Sequence, residues 1–302
     1  MIDIGRLKRI SRGDFVFEAF CFIFITVLGI VCLYPVMYVF SASISNPAAV
    51  MKGQVKFFPV GFSLDAYKKV LEAPMVWLFY YNTVWYTVIG TTFNIVATVL
   101  LAYPLSKKQF VLRGPINLLV IIPMFFSGGL VPTFLLVNSL GLYGSRWIMV
   151  TIGLVNTFNM IIARTFFQTL PEELFENARL EGASEFRILG QIVVPLSKPI
   201  LAVLALYYGV SHWNAYFTAL IYLPKYEMQP IQALLRRVVL QNSRDIIQSA
   251  LNAVDMTSVA TAPISNQVKY AVIFFAMIPI MCFYPFLQKY FVKGVMIGAL
   301  KG

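Results

Sequence analysis

The sequence predicts an all-α membrane protein with six transmembrane helices. Of its 302 residues, 59% are hydrophobic and only 12% are charged, and the charges are confined to part of the chain. Soluble domains are usually about 45–50% hydrophobic and about 25% charged. A water-soluble fold of this length is therefore close to excluded.

Six long stretches of the chain contain no charged residue. About 20 apolar residues in a helix cross a hydrocarbon core about 30 Å thick. The spans predicted from these stretches are 16–40, 80–103, 116–137, 147–166, 199–223 and 270–289. The fourth is the weakest, because its charge-free stretch, between Arg146 and Arg164, has only 17 residues.

The first apolar run, 16–40, has two interpretations. A secretory signal peptide is one, since Ser41-Ala42-Ser43 resembles a small-residue cleavage site. The apolar core of a signal peptide has roughly 7–15 residues, however, and this run has 25. An uncleaved span is favoured, so that a cytoplasmic segment 1–15 precedes a single polytopic membrane domain, 16–302.

The distribution of basic residues predicts the orientation. Six spans place both termini on one side, and basic residues collect on the cytoplasmic side. The basic N-terminus and the short loop with Lys107, Lys108 and Arg113 favour cytoplasmic termini. The net charge of +11 is then explained by topology, and nucleic-acid binding is not favoured. The outer segments are 41–79, with a short helix after Ser63, 138–146, and 224–269, with an amphipathic stretch near 231–239.

The inner loop 167–198 has strong local signals for two short helices. Thr169, followed three residues later by Glu172, matches a capping box, which predicts the start of a helix. Gly182 interrupts the helical pattern and can adopt a positive φ. Ser184 can then cap a second helix.

Phe175 and Phe186 are predicted to be exposed on this pair of helices. One interpretation is that both pack on the membrane surface or on neighbouring spans. The other is that the loop docks into a groove of a soluble cytoplasmic partner.

The residues of this loop resemble the EAA loop of binding-protein-dependent ABC importer permeases. The resemblance rests on Glu176-Asn177-Ala178, Glu181-Gly182-Ala183-Ser184, Phe186, Pro195 and Pro199. Asn177 stands where the family usually has Ala, and Glu181 where it usually has Asp. Size and charge are nearly kept in both cases.

Three further patches are similar to those of permeases for maltose and oligosaccharides. They are Gly128-Gly129-Leu130-Val131-Pro132-Thr133 with Leu140-Gly141-Leu142, Trp213-Asn214-Ala215-Tyr216, and the tail Gly298-Ala299-Leu300-Lys301-Gly302. The resemblance covers the chain from about residue 80 to 302. It implies the type I ABC importer permease fold, a bacterial plasma-membrane location and a sugar substrate.

The resemblance also implies the partners and the coupling residues. A second related permease subunit, two cytoplasmic ATPase subunits and an extracellular solute-binding protein are expected. ATP and Mg would bind the ATPase subunits, because this chain lacks a Gly-x-x-x-x-Gly-Lys-Ser/Thr motif. The residues expected to couple to the ATPase are Glu176, Ala178, Gly182, Ala183, Phe186 and Pro195.

The fifth span carries the residues expected along the substrate pathway, since sugars bind to aromatic faces and a few polar groups. They are Tyr207, Tyr208, His212, Trp213, Asn214 and Phe217. A polar residue within a span is by default functional. The alternatives are that the aromatic residues mark the membrane interface and that His212, the only histidine, bonds another helix.

Other function classes are less compatible with the sequence. An ion-coupled secondary transporter usually needs charged residues within its spans, and the six charge-free stretches hold none. A membrane-embedded enzyme needs clustered His, Asp or Glu, so no catalytic or metal-binding residues are predicted. An ABC importer for a different solute remains the main alternative.

Overall fold

A computed structural model of the chain describes residues 12–240 and 267–283. Over these residues the regular elements are helical, apart from one isolated antiparallel bridge between Ser45 and Phe62. The helices are α1 Arg12–Ser43, α2 Pro47–Met51, α3 Asp65–Glu72, α4 Pro74–Ser106, α5 Arg113–Phe125, α6 Leu130–Ser139, α7 Ile148–Thr151, α8 Thr157–Phe167, α9 Glu172–Leu180, α10 Glu185–Ile188, α11 Val194–Leu196, α12 Lys198–Trp213, α13 Phe217–Tyr222, α14 Ile231–Leu240 and α15 Gln267–Phe283. A π-helical turn, Leu189–Val193, joins α10 to α11. The predicted all-helical fold is confirmed for this part of the chain.

The chain divides into two compact units. One comprises residues 1–72 with 254–275, and the other comprises residues 73–253 with 276–302. In the described residues the first unit holds α1 to α3 and the start of α15. The second holds α4 to α14 and the end of α15.

Helix α1 is apolar on all its faces. Its segment Gly13–Ser43 has a mean hydropathy of 2.6 over its best window, and none of that window is buried by the rest of the chain. Such a helix is suited to lipid on every side. The helix continues through residues 41–43, which are themselves buried, and this favours a span over a cleaved signal peptide.

Helix α4 is the centre of the second unit. It packs along α12 and α8 and against α7. Burial is greatest at the end of α4 that precedes Lys107, where residues of α8, α9, α10 and α12 join one apolar core. This core supports the loop that follows α8.

The predicted spans differ in how continuous they are. The first two correspond to α1 and α4, each long and apolar enough to cross a bilayer. The third, 116–137, is divided between α5 and α6, where Gly129 has φ +85°. The fourth, 147–166, is divided between α7 and α8. The sequence stays apolar across these breaks, because hydrophobic residues indicate burial or contact with lipid and do not indicate where a helix is interrupted.

The fifth and sixth predicted spans are also not simple helices of the predicted length. The fifth, 199–223, covers α12 and α13, and α10–α11 meets α12 at an angle of 83°. The sixth, 270–289, begins in α15, and its residues after 283 lie outside the described residues. Among the described residues two helices are long enough to cross a bilayer, or three if the bent pair is one span. Helix length alone therefore does not confirm six spans.

Candidate functional site

Helix α9 begins at Glu172, as the loop signals indicate, but without the predicted capping box. The Thr169 hydroxyl donates a hydrogen bond to the Phe166 carbonyl at 2.7 Å, and Pro171 occupies the N-cap position without a side-chain bond. Helix α8 ends at Phe167, so its last carbonyls lack helical partners. Thr169 bonds one of them, and the N-cap of α9 has no side-chain hydrogen bond, so the capping-box prediction was wrong.

Gly182 makes the bend after α9. Its φ of +79° lies in the left-handed region that favours glycine. The Gly182 amide donates to the Arg179 carbonyl and the Ala183 amide to the Ala178 carbonyl, both at 2.9 Å. This pair of bonds is a Schellman motif, and it confirms the predicted glycine bend.

Helix α10 begins as predicted. The Ser184 hydroxyl accepts a hydrogen bond from the Arg187 amide at 3.4 Å. The π-helical turn after α10 leads to Pro195 in α11. Proline lacks the amide that a regular helix needs, and the wider turn before it accommodates that loss.

The inner face of the loop is fixed to the bundle. Phe175 is 1% exposed and packs, with Ala178, in the core of the second unit. The Lys107 ammonium lies 3.0 Å from the centre of the Phe175 ring, a cation–π contact. Phe175 is therefore not exposed, and of the two interpretations the packing on neighbouring spans is confirmed for this ring.

A group of charged and polar side chains, here called the clasp, joins the end of α4 to both loop helices. The Tyr103 hydroxyl donates to Glu185 Oε2 at 2.7 Å, and Arg179 Nε donates to Glu185 Oε1 at 2.9 Å. Glu172 Oε1 lies 3.8 Å from Lys107 Nζ and 4.0 Å from Arg179. The clasp spans the Gly182 bend and therefore sets the angle between α9 and α10.

The clasp perturbs the pKa values of its members. Burial lowers the pKa of Lys107, against the opposing effect of Glu172. Burial alone would raise the pKa of Glu185, but the hydrogen bonds from Tyr103 and Arg179 and the nearby positive charges lower it by more. The pKa of Glu185 therefore lies below its usual value, and the carboxylate is ionised when the clasp forms.

The outer face of the loop is uncovered in this chain. Leu180 is 87% exposed and Phe186 is 80% exposed. Glu176 and Gly182 are exposed beside them, and Ala183 is half-buried. Exposed apolar side chains on a rigidly held helix pair, rimmed by carboxylates, indicate a protein-binding surface.

Three of the predicted pathway residues are held inside the second unit. The Tyr208 hydroxyl bonds Thr98 at 2.7 Å and accepts from the Asn156 amide at 3.1 Å. His212 Nε2 lies 2.5 Å from Asn94 Oδ1. Trp213 is buried and donates to the Ala276 carbonyl at 3.1 Å.

The other three predicted pathway residues are exposed. Tyr207 is 36% exposed and Phe217 is 55% exposed. Asn214 follows the last residue of α12, and its amide donates to the Val210 carbonyl at 3.0 Å. The structure therefore does not bring the six residues together on one surface, and their role in a pathway stays a prediction.

Helix α4 contributes a row of buried polar side chains that the sequence reasoning missed. Asn94 Nδ2 donates to the Gly153 and Leu154 carbonyls at 3.2 and 2.6 Å. These carbonyls belong to the break between α7 and α8. Non-helical backbone inside a membrane needs such partners.

The same row satisfies a second irregular segment. Asn82 donates to the Glu227 and Gln229 carbonyls, Tyr86 donates to the Met228 carbonyl, and Thr83 accepts from the Ile231 amide. The spacing of these polar residues along α4, on one helical face, is a sequence signal that identifies them.

Comparison with known proteins gives the chain its family. Residues 90–297 match the family model described as binding-protein-dependent transport system inner membrane component. The chain is 37% identical over 288 residues to the polygalacturonan/rhamnogalacturonan transport system permease protein YtcP of Bacillus subtilis (strain 168), covering 95% of this chain and 98% of that protein. It is 38% identical over 303 residues to Protein LplC of the same organism, covering 100% of both.

A solved structure is also similar. A chain from the crystal structure of a bacterial ABC transporter involved in the import of the acidic polysaccharide alginate matches with a TM-score of 0.83 and 34% identity. The match covers 93% of this chain and 99% of that chain. A family match over well more than half of the sequence, together with relatives similar over its full length, leads to one conclusion: the chain belongs to the binding-protein-dependent transport system inner membrane components, and it is a multi-pass permease subunit of the bacterial plasma membrane rather than an enzyme.

Proposed function

We propose that this permease forms half of the translocation pathway of an ATP-driven importer of sugars or oligosaccharides. Its relatives support the substrate class, since YtcP is named for polygalacturonan and rhamnogalacturonan transport and the similar structure comes from an alginate importer. The partners are a second related permease, two cytoplasmic ATPase subunits that bind ATP and Mg, and an extracellular solute-binding protein.

The loop of α9 and α10 is the coupling element of this proposal. The observation that carries it is the contrast between the two faces of the loop: the inner face is fixed by Phe175 and the clasp, while Leu180 and Phe186 are exposed. A rigid surface transmits a displacement to the bundle without absorbing it. In this role, movement of an ATPase that grips the outer face reaches α4 through Tyr103 and α12 through α10.

Each predicted coupling residue has a distinct part in this proposal. Gly182 provides the bend, and Ala178 and Ala183 lie at its two hydrogen-bonded ends. Glu176 presents an exposed carboxylate to the ATPase. Phe186 is the apolar contact, and Pro195 lies at the turn that leads to α12.

A membrane topology of six spans with cytoplasmic termini is part of the proposal. Several spans would then be composite, each made of two short helices. The side chains of α4 that bond the 152–156 break support this view, because broken helices are tolerated in a bilayer where protein satisfies their backbone. Labelling of single cysteines placed at 109 and 142 by a membrane-impermeant reagent in whole cells tests it: position 142 should react from outside, and position 109 should react only after lysis.

The central experiment replaces Gly182 with valine in the complete transporter. Valine at a φ of +79° is strained, so the bend should change and coupling should fail. Transport by proteoliposomes and ATPase stimulation by sugar-loaded binding protein should both be lost, while the amount of inserted permease stays unchanged.

Gly141→Val is the matched control for this experiment. Gly141 has φ +68°, and neither position has a neighbouring atom within 4 Å of an added Cβ. The backbone strain is therefore similar, but Gly141 lies outside the coupling loop. Normal transport by Gly182→Val, or equal loss in both variants, would contradict the coupling assignment.

The identity of the partners has a separate test. The tagged chain, purified from its own organism in mild detergent, should bring down an ATPase with a Gly-x-x-x-x-Gly-Lys-Ser/Thr motif and a second permease. Recovery of the chain alone in a transport-competent form would favour an ion-coupled secondary transporter. Stimulation of the ATPase by a peptide or phosphate, and not by any oligosaccharide, would favour the alternative of a non-sugar importer.

A further inference from the structure

The segment 52–64, between α2 and α3 in the first unit, exposes three phenylalanine rings. Phe57 is 56% exposed, Phe58 is 76% exposed and Phe62 is 72% exposed. Three large apolar side chains within six residues make an apolar patch whose exposure to water is unfavourable.

The backbone beneath this patch is held firmly. The Ser41 hydroxyl donates to the Phe57 carbonyl at 2.8 Å, and the Ser45 hydroxyl accepts from the Val60 amide at 3.0 Å. The Val60 carbonyl accepts from the Asn46 amide at 3.0 Å. The rings are therefore exposed on a loop whose backbone is tied to the end of α1 and to α2 by hydrogen bonds at Phe57 and Val60.

Two contacts of Phe57 with α1 show where its backbone and its ring lie along this helix. The Phe57 carbonyl lies beside Ser41, but the Phe57 ring packs against Tyr34 with centroids 5.0 Å apart. At about 1.5 Å of rise per residue, these levels differ by roughly 10 Å along the helix. The ring therefore points back along α1, away from its C-terminal end.

The two levels correspond to two layers of a bilayer. The midpoint of the predicted span 16–40 is residue 28. Tyr34 lies about 9 Å from this midpoint and Ser41 about 20 Å, while the hydrocarbon layer extends about 15 Å to each side. With α1 centred in the bilayer at residue 28, the loop backbone would lie at the depth of the headgroups and the Phe57 ring within the hydrocarbon.

The charges of the segment fit the same layer. Lys52 and Lys56 are exposed, and no acidic residue occurs from 47 to 64. Basic side chains beside aromatic or aliphatic ones are typical of segments that lie in the interface and contact anionic headgroups. The Phe57 ring also lies beside α1, whose apolar surface the rest of the chain leaves unburied, and this position favours lipid over a soluble partner.

We propose that segment 52–64 is a lipid anchor, with Phe57, Phe58 and Phe62 inserted into the leaflet at the C-terminal end of α1. Lys52 and Lys56 lie among the headgroup phosphates of anionic phospholipid. The anchor holds the depth of α1, whose most apolar window is not buried by the rest of the chain. This inference does not depend on which solute the permease carries.

The test places tryptophan at the patch in the full complex. Phe57→Trp is reconstituted in nanodiscs of phosphatidylcholine and phosphatidylglycerol, with or without bromine on the acyl chains. Because the chain has four native tryptophans, the parent signal is subtracted. The added tryptophan should emit at shorter wavelength than in water, lose fluorescence in brominated lipid and resist quenching by iodide.

Glu227→Trp is the matched control, since Glu227 is exposed in the predicted outer segment 224–269, away from the ATPase-binding loop, and no lipid contact is expected there. This control should be quenched by iodide and not by bromine. Iodide quenching of Phe57→Trp without bromine quenching would overturn the proposal in favour of water. Protection from both quenchers would overturn it in favour of a protein partner, such as the solute-binding protein or the second permease.

Discussion

The contact between Gly90 and His212 allows a specific prediction for Gly90→Ala. A Cβ at position 90 would lie 2.5 Å from Cε1 and Nε2 of His212 and 2.9 Å from Cδ2. Heavy atoms do not approach that closely, so the imidazole must move. Its contact with Asn94 Oδ1, now 2.5 Å long, would then break.

The size of the effect follows from three contributions. Overpacking in a filled core costs about 1–3 kcal/mol. Leaving the buried Asn94 oxygen without a partner costs about 1–3 kcal/mol. Alanine in a helix is favoured over glycine by about 1 kcal/mol, so the free energy of unfolding should fall by about 1–5 kcal/mol in total.

Gly209→Ala provides the control. A Cβ at Gly209 meets only Thr91 Oγ1 at 3.8 Å, an ordinary contact, so this variant should be as stable as the parent or slightly more stable. Both variants are compared by thermal unfolding of the purified permease in detergent, followed by intrinsic tryptophan fluorescence.

A double variant isolates the contact. If the imidazole causes the loss, Gly90→Ala should cost nothing when His212 is already alanine, because the clash is gone. Equal melting of Gly90→Ala and Gly209→Ala would refute the reasoning. A destabilisation by Gly90→Ala that persists in the His212→Ala background would refute it as well.

Three further predictions concern the coupling loop. Tyr103→Phe removes the hydroxyl that donates to Glu185. Because solvent reaches the Glu185 carboxylate and weakens this hydrogen bond, the free energy of unfolding should fall by roughly 1 kcal/mol. Amide exchange of 172–188 should accelerate, whereas Tyr143→Phe should not change it. Folding lowers the pKa of Glu185. The stability that its carboxylate contributes is therefore complete above the ordinary carboxyl pKa and is lost as pH falls through the lowered value, so protection from amide exchange should decline only below about pH 4. A difference in protection between the parent and Glu185→Gln that stays constant down to strong acid would contradict this. Phe186→Ala should leave the free energy of unfolding within about 0.5 kcal/mol of the parent yet abolish ATPase stimulation. Phe175→Ala, at the buried face, should instead destabilise the protein by about 3–5 kcal/mol. Normal ATPase stimulation in Phe186→Ala would exclude that ring from the docking surface.

The loop of α9 and α10 could be predicted to a large extent from the sequence. Its two helices, the Gly182 bend and the Ser184 cap depend on residues close in the chain, and the structure has all of them. The Thr169 capping box failed because a hydroxyl can serve either neighbouring helix, and here it bonds the end of α8. The sequence left the packing of Phe175 undecided, because the ring contacts Lys107, a residue 68 positions earlier in the chain.

Composition alone determined that this is a membrane protein, because apolar stretches of this length without charged residues are unstable when exposed to water. The positions of the helix breaks were decided by tertiary structure. Asn94 and Tyr208 hydrogen-bond to backbone groups more than 50 residues away, and without them a broken helix would leave unsatisfied groups in lipid. The sequence likewise identified His212 as exceptional, but only packing shows that its ring lies against Gly90 and Asn94. Local interactions specify which residues form helices and bends, whereas long-range contacts decide which polar side chains stabilise the bundle and which side chains remain exposed.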